Sequence, residues 1–212
     1  MKNYFTIYPA VDTKETGSAY PAVSFPEDYN WNGSQSVHKL KTHSIPTFIP
    51  DLDLILKKQA KPTDLITVAG IKGSGLTVSS RFWKFLNTQN IIPYVMFHAY
   101  ISSKTEFLEY YRIHFTWEDW HQCINWRQST FKLLENGNFV PIDINSYNEY
   151  LLEKSKIQNI IIGPDKIEYI YPDFDLFMIP FQSKIIVSEI LKDSIKKLGF
   201  TGIDLKPFQI EK

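Results

Sequence analysis

The chain has 212 residues, with 23 Lys plus Arg balanced by 23 Asp plus Glu, 43% hydrophobic positions and 15% aromatic ones. That length allows one domain with a sizeable core or two small ones, and the composition excludes a disordered chain. Zero formal net charge argues against a nucleic-acid partner, and the lone Cys123 rules out a scaffold of intramolecular disulfides.

No run approaches the 18 consecutive apolar residues of a membrane span. The opening MKNYFTIYPAVD alternates polar and apolar residues and has no secretory apolar core, so the expected compartment is a reducing cytoplasm.

Residues 3–8 read as a strand ended by Pro9. From there to about Pro62 the chain is rich in Pro, Ser, Asn and Tyr, which interrupts helices and ladders. Tyr20, Phe25, Tyr29, Trp31, Phe48 and Ile49 make a free linker the poorer reading. Residues 1–62 are expected to wrap the core.

Asp64–Ala69 reads as a buried strand, followed by the Gly-rich GIKGSG at 70–75. Ser79 is a helix N-cap, with apolar residues at 82, 83, 85 and 86 behind it. Residues 91–101 form a β-rich run in which Pro93 suggests an edge or a bulge. Residues 63–101 thus read as a strand–helix–strand unit.

Within 102–183 the spacing predicts strands at 108–115 and 121–134, paired antiparallel across TWEDW. Ser146 and Glu149 form a capping box for a helix over 147–157. A meander follows at 159–162, 166–171 and 174–179, punctuated by Gly163-Pro164 and Pro172-Asp173. A second strand–helix–strand unit occupies 184–208, with Ser188 as N-cap, an apolar stripe of Ile190, Leu191, Ile195 and Leu198, and Gly199 at the C′ position.

The two units echo each other at an offset of 109 residues, Val78-Ser79 against Val187-Ser188 and Phe82 against Leu191. Duplication and shared apolar periodicity both account for the match. The fold class is therefore α+β: a single domain of mixed and antiparallel sheets with a few short helices and a C-terminal strand–helix–strand unit echoed at 65–101.

No catalytic, cofactor-binding or metal site emerges. GIKGSG fits neither the Walker loop nor the dinucleotide fingerprint, and a turn is the better reading. His38, His43, His98, His114 and His121 lack metal-ligand spacing and read as ordinary polar positions. Cys123, between apolar neighbours, reads as a small buried hydrophobe rather than a nucleophile. TWEDW is a turn whose rings fold back on the core, or a contact patch of Trp anchors with an acidic rim.

Taken in order, IIVSEILKDSIKKLGFTGIDLKPF (185–208), CINWRQSTFKL (123–133) and DLFMIP (175–180) resemble a bacterial immunity-protein family of polymorphic toxin systems. That family was formerly a domain of unknown function and is typified by a myxobacterial immunity protein. Asn125 stands where the family usually has an acidic residue. The resemblance implies a single α+β domain that binds and neutralises a cognate toxin protein, is not an enzyme and needs no cofactor. It leaves oligomeric state open.

On that reading Glu106, Glu109, Trp117, Glu118 and Asp119 are the expected exposed toxin contact, chosen for Trp and acid composition. Two rival classes remain: a small-molecule or nucleotide-processing enzyme using the 70–75 loop with Lys72, and a structural or oligomerising module.

Overall fold

A computed structural model describes residues 3–71, 74–135, 137–156 and 161–208. Its strands are β1 (Tyr4–Pro9), β2 (Val23–Ser24), β3 (Asp53–Leu56), β4 (Gly75–Ser79), β5 (Tyr94–Ser102), β6 (Phe107–Phe115), β7 (Thr130–Glu135), β8 (Asn138–Ile142), β9 (Ile161–Lys166), β10 (Leu176–Ile179), β11 (Lys184–Ser188) and β12 (Ile203–Pro207). The helices are α1 (Thr13–Thr16), α2 (Ser80–Leu86), α3 (Tyr147–Lys156) and α4 (Glu189–Lys197). The fold is α+β, with mixed and antiparallel sheets, and the chain packs as two compact units.

The first unit takes residues 1–117, 174–178 and 184–212. It contains a five-stranded sheet in the order β2-β3-β5-β6-β4, and a four-stranded sheet in the order β10-β11-β1-β12. In the first sheet only the β3–β5 pairing is parallel; β5–β6 is an antiparallel hairpin with register Tyr94↔Phe115 through Ser102↔Phe107.

The echo has a structural counterpart. In β4–α2–β5 the two strands flank β6, antiparallel to both; in β11–α4–β12 they flank β1 in the same way. Ser79 and Ser188 each accept a hydrogen bond from the third residue on, Phe82 N and Leu191 N, both at 3.1 Å. Phe82 and Leu86 on α2, and Leu191 and Ile195 on α4, are buried. Gly199 takes φ +63° at the end of α4, where its missing Cβ avoids a left-handed clash.

The wrapping segment is seated in part: Phe25 and Tyr29 are buried, whereas Tyr20 and Ile49 are 70% and 72% exposed. Phe25, Tyr29, Val37, Leu40 and Leu52 join Leu54, Phe97, Ala99, Ile101 and Tyr110 in one buried cluster. Trp31 lies against Gly70, whose φ of +82° and close approach to the indole both require glycine.

The second unit takes residues 118–173 and 179–183. Its sheet runs β8-β7-β9, and its core gathers Ile124, Phe131, Ile144, Tyr150, Ile162 and Ile167. Glu149 N bonds Ser146 Oγ at 3.2 Å, while the Glu149 carboxylate reaches back to Asn145 N at 2.7 Å, so the capping box starts α3 where expected. The predicted helix end at Ile157 and strand start at 159–160 lie outside the described residues.

Several pairings differ from the sequence reading. β6 pairs with β5 and β4, not with a strand at 121–134. Residues 118–123 form 3₁₀ turns, and a strand begins only at Thr130. The cause is turn chemistry: Gln128 N and Ser129 N both bond Asn125 O, and Asn125 Nδ2 bonds Gln128 Oε1 at 2.8 Å.

Asp64–Ala69 is not one strand. Leu65 bridges to Val78 and Val68 to Val23, so the segment divides its bonds between β4 and β2. Gly163-Pro164 falls inside β9 rather than ending it, tolerated because β9 is an edge strand with a register shift opposite Thr130/Phe131. Pro93 precedes an interior strand instead of marking an edge. β8, beyond Gly137 at φ +82°, has no counterpart in the sequence reading.

Candidate functional site

Alternation along β5 and β6 sorts their side chains onto two faces. Phe97, Ala99 and Ile101 point into the buried cluster, so His98, Tyr100, Glu109 and Phe107 stand on the other face. α2 covers the β4 end of this outer face, where Phe82 and Leu86 are buried. The β3 end stays open: Ile55 is 42% exposed, Tyr100 50% and Phe107 82%.

Glu109 sits at the middle of the open area. Its carboxylate accepts from Tyr111 Oη at 2.9 Å and from Ser80 Oγ at 3.0 Å, and His98 Nδ1 lies 3.7 Å away. The Tyr111 hydroxyl, then that of Ser80, with the nearby His98 and Lys84, hold the Glu109 carboxyl below the usual glutamate range. Rings surround it: His98 lies 4.9 Å from Tyr111, and Trp83 lies 6.0 Å from Tyr111 and 5.8 Å from Tyr94. The Tyr94 hydroxyl is tied to Asn87 Oδ1 at 2.9 Å. The product is an exposed carboxylate in fixed orientation on an aromatic platform, carried by rigid strands.

Of the five residues expected to form a contact, Glu106, Glu109 and Trp117 belong to the first unit and Glu118 and Asp119 to the second. Glu109 lies on the platform, and Glu106 closes the β5–β6 turn through Ser103 N to Glu106 O at 2.9 Å. Trp117 lies beyond the far end of β6, about 36 Å of extended chain from Glu106. Trp117 is not exposed: it is 8% accessible and packs edge-on against Phe174 at 5.8 Å. An indole between a strand end and apolar neighbours is covered because its area outweighs its single polar group. Glu118 and Asp119 are exposed, at the start of the 3₁₀ turns of the second unit.

His98, Tyr100 and Phe107 were missed. The signal was present in the polar–apolar alternation of 94–102 and 107–115 around the short SSKTE connection, but those segments had to be paired with each other.

The other candidate groups are accounted for. Cys123 is buried, and burial pushes its thiol up to about 12. His121 stacks on Tyr147 at 4.1 Å, and His38 packs at a tilt against Trp31 at 4.5 Å. Gly75, the last residue of the 70–75 segment, opens β4, and four further strand residues precede α2, so Gly75 is not at the helix N-terminus. Lys72 and Gly73 lie outside the described residues. Among the described residues no group of three or more His, Cys, Asp or Glu is placed to hold a metal ion. No described helix is long and apolar enough to cross a membrane.

The segment CINWRQSTFKL has a structural role. Ser129 Oγ bonds Asn125 O at 2.8 Å and accepts from Glu168 N at 3.1 Å, while Ile170 N bonds Cys123 O at 2.8 Å. These bonds tie residues 123–129 to 168–170 within the second unit. No protein-family model matches the chain, and no curated protein matches it in sequence.

Proposed function

We propose that this chain is a cytoplasmic immunity protein that binds and neutralises a cognate bacterial toxin, acting by contact and not by catalysis. The observation that supports this most directly is the open platform around Glu109. Large aromatic side chains left exposed on rigid strands supply anchors at low entropic cost, and an oriented carboxylate among them favours a basic complement. The resemblance over 123–133, 175–180 and 185–208 supplies the toxin part of the reading. The buried Cys123 thiol, held protonated at neutral pH, adds support for binding over covalent chemistry.

Glu109, His98, Tyr100 and Phe107 are the proposed contact, with Glu106 at its edge. The test is co-expression with the product of the adjacent reading frame. Wild-type chain should co-purify with it and restore growth, whereas Tyr100→Ala with Phe107→Ala should weaken the complex at least about tenfold. Full protection by a folded double variant would remove the platform from the reading. No adjacent toxin and no growth rescue by the wild type would remove the immunity function itself.

A further inference from the structure

The face of the five-stranded sheet opposite Glu109 holds a buried basic side chain. Arg112 lies on β6, directly across from Thr77 on β4 and Phe97 on β5. It is 7% accessible, and its Nε has no hydrogen-bond partner among the described residues. Buried arginines ordinarily neutralise a carboxylate or satisfy their five N–H donors on carbonyl oxygens, because desolvating an unpaired guanidinium is costly.

Its neighbours share the shortfall. Thr77 is 2% accessible, and its Oγ1 has no partner among the described residues. Directly opposite positions on an antiparallel pair bring Cβ atoms within about 5 Å, so the hydroxyl and the guanidinium can reach one ligand atom. Two residues along β6, His114 is fully buried, and its Nε2 faces Ser44 O at 3.2 Å. A carbonyl only accepts, so Nε2 donates, and Nδ1 has no partner among the described residues. Gly75 stands opposite His114, where any Cβ would collide with Ile113 O.

Space lies alongside. Phe97, the register partner of Arg112, also lines a solvent-open crevice of about 580 Å³ together with Ser34, Gln35, Pro46, Thr47, Phe48 and Ile49; Arg112 and Thr77 lie behind Phe97 and are not part of its wall. Its walls offer apolar surface and few polar groups, so it suits the body of a small organic molecule whose charged end lies toward β6.

We propose that Arg112 and Thr77 form an oxyanion site for a small ligand carrying a phosphate or carboxylate group, with the rest of the ligand in the Phe97 crevice. The guanidinium Nε–H and a terminal N–H present the two-donor fork that matches such a group, and the Thr77 hydroxyl adds a third donor. This site lies on the opposite face of the sheet from the proposed toxin contact and does not depend on it.

The test uses the full chain with inorganic phosphate, phenyl phosphate and benzoate, each against sodium chloride at matched ionic strength. At least one oxyanion should raise the melting temperature saturably, and the Arg112 Nε–H resonance should move along the same titration curve. Arg112→Met should abolish the shift, and Thr77→Val should weaken binding about tenfold. Should Arg112→Met fail to fold, Thr77→Val and the resonance carry the test. A response to the phosphates alone assigns a phosphoryl ligand, and one to benzoate alone assigns a carboxylate. No response beyond chloride, or the same response in Thr77→Val with an unmoved Arg112 resonance, overturns the proposal.

Discussion

Ser79 donates a 2.7 Å hydrogen bond from Oγ to Asp64 Oδ1 while the same oxygen caps α2. Ser188 does the same for α4 with Asp175, again at 2.7 Å. In both cases the serine amide also bonds the aspartate carbonyl, at 2.8 Å. Each aspartate segment then reaches the chain that follows the other helix. Thr201 N bonds Asp64 Oδ2 at 2.8 Å, and Asp175 N bonds Asn90 O at 2.6 Å. The two strand–helix–strand units are thus locked reciprocally.

The two aspartates differ in what depends on them. Asp64 also receives Arg81 through Nε at 3.2 Å and Nη2 at 2.8 Å, and the Thr201 hydroxyl at 3.1 Å. Asp64→Ala should cost about 3 kcal/mol, chiefly through buried donors left without an acceptor; the half-exposed Arg81 adds little. Asp175→Ala, which removes the Ser188 bond, should cost about 1 kcal/mol. Urea midpoints of the two variants should therefore separate clearly, and equal losses would contradict this assignment.

Acid sensitivity should begin near the histidine range. Burial first, with the nearby His114 adding to it, pulls His43 from 6.5 to about 4, opposed by the hydrogen bond that the ring donates to the Trp117 backbone. Burial also lowers His114. A depressed folded-state histidine means that the unfolded chain binds protons first, so stability falls as pH drops from about 6.5 towards 4. Asp64 extends the loss to lower pH: burial raises its pKa, but the bonds from Ser79, Thr201 and Arg81 outweigh this and hold it below normal. Its stabilisation is present above the unfolded carboxylate range and disappears as pH falls through the lowered value. Because His43 sits at φ +62°, Asn is the replacement best suited to its backbone. His43→Asn should flatten the dependence of the urea midpoint between pH 6.5 and 4.

Gly75→Ala should be among the most damaging single changes. The residue has φ +149°, and a Cβ would run into the Ile113 carbonyl across the β4–β6 ladder. A loss of at least about 3 kcal/mol is expected from strain and a broken ladder. Gly137→Ala, at φ +82° with nothing within 4 Å, should cost about 1 kcal/mol. Thermal unfolding of the pair tests whether collision or backbone conformation dominates.

The carboxylate of Glu109 should titrate differently once its main donor is gone. Tyr111→Phe removes the hydroxyl that lies 2.9 Å from Oε1, so the Glu109 pKa should rise toward the usual value. Carboxyl-resolved NMR titration measures this directly. An unchanged midpoint would show that Ser80 and His98 suffice.

Cys123 should be silent toward thiol reagents in the native protein and should react stoichiometrically once the chain is unfolded. Burial both blocks access and keeps the sulfur protonated. Rapid labelling without denaturant would contradict its placement.

Local signals were read correctly where the physics is local. Ser79, Ser188 and the Ser146/Glu149 box start helices because a side-chain oxygen satisfies an amide two or three residues away. The stripe expected on α4 holds in part: Leu191 and Ile195 are buried, whereas Ile190 and Leu198 are 73% and 50% exposed. Residues 121–129 misled because Ile124 and Trp126 imitate strand alternation while Asn125 and Ser129 fold the backbone into a turn. Trp117 was read as exposed on composition, which is silent about what lies above a ring.

The sequence by itself determined the α+β class, the caps and part of the stripes of the short helices, part of the wrapping role of the ring-rich segment and the echo between the two strand–helix–strand units. These depend on neighbours a few residues apart, or on a total content of apolar surface. Only the tertiary structure decided that β6 pairs with β5 and β4, that Glu109 meets His98 and Ser80, and that Arg112 faces Thr77. Those relationships depend on strand register, and a slip of one residue would exchange the two faces of the sheet.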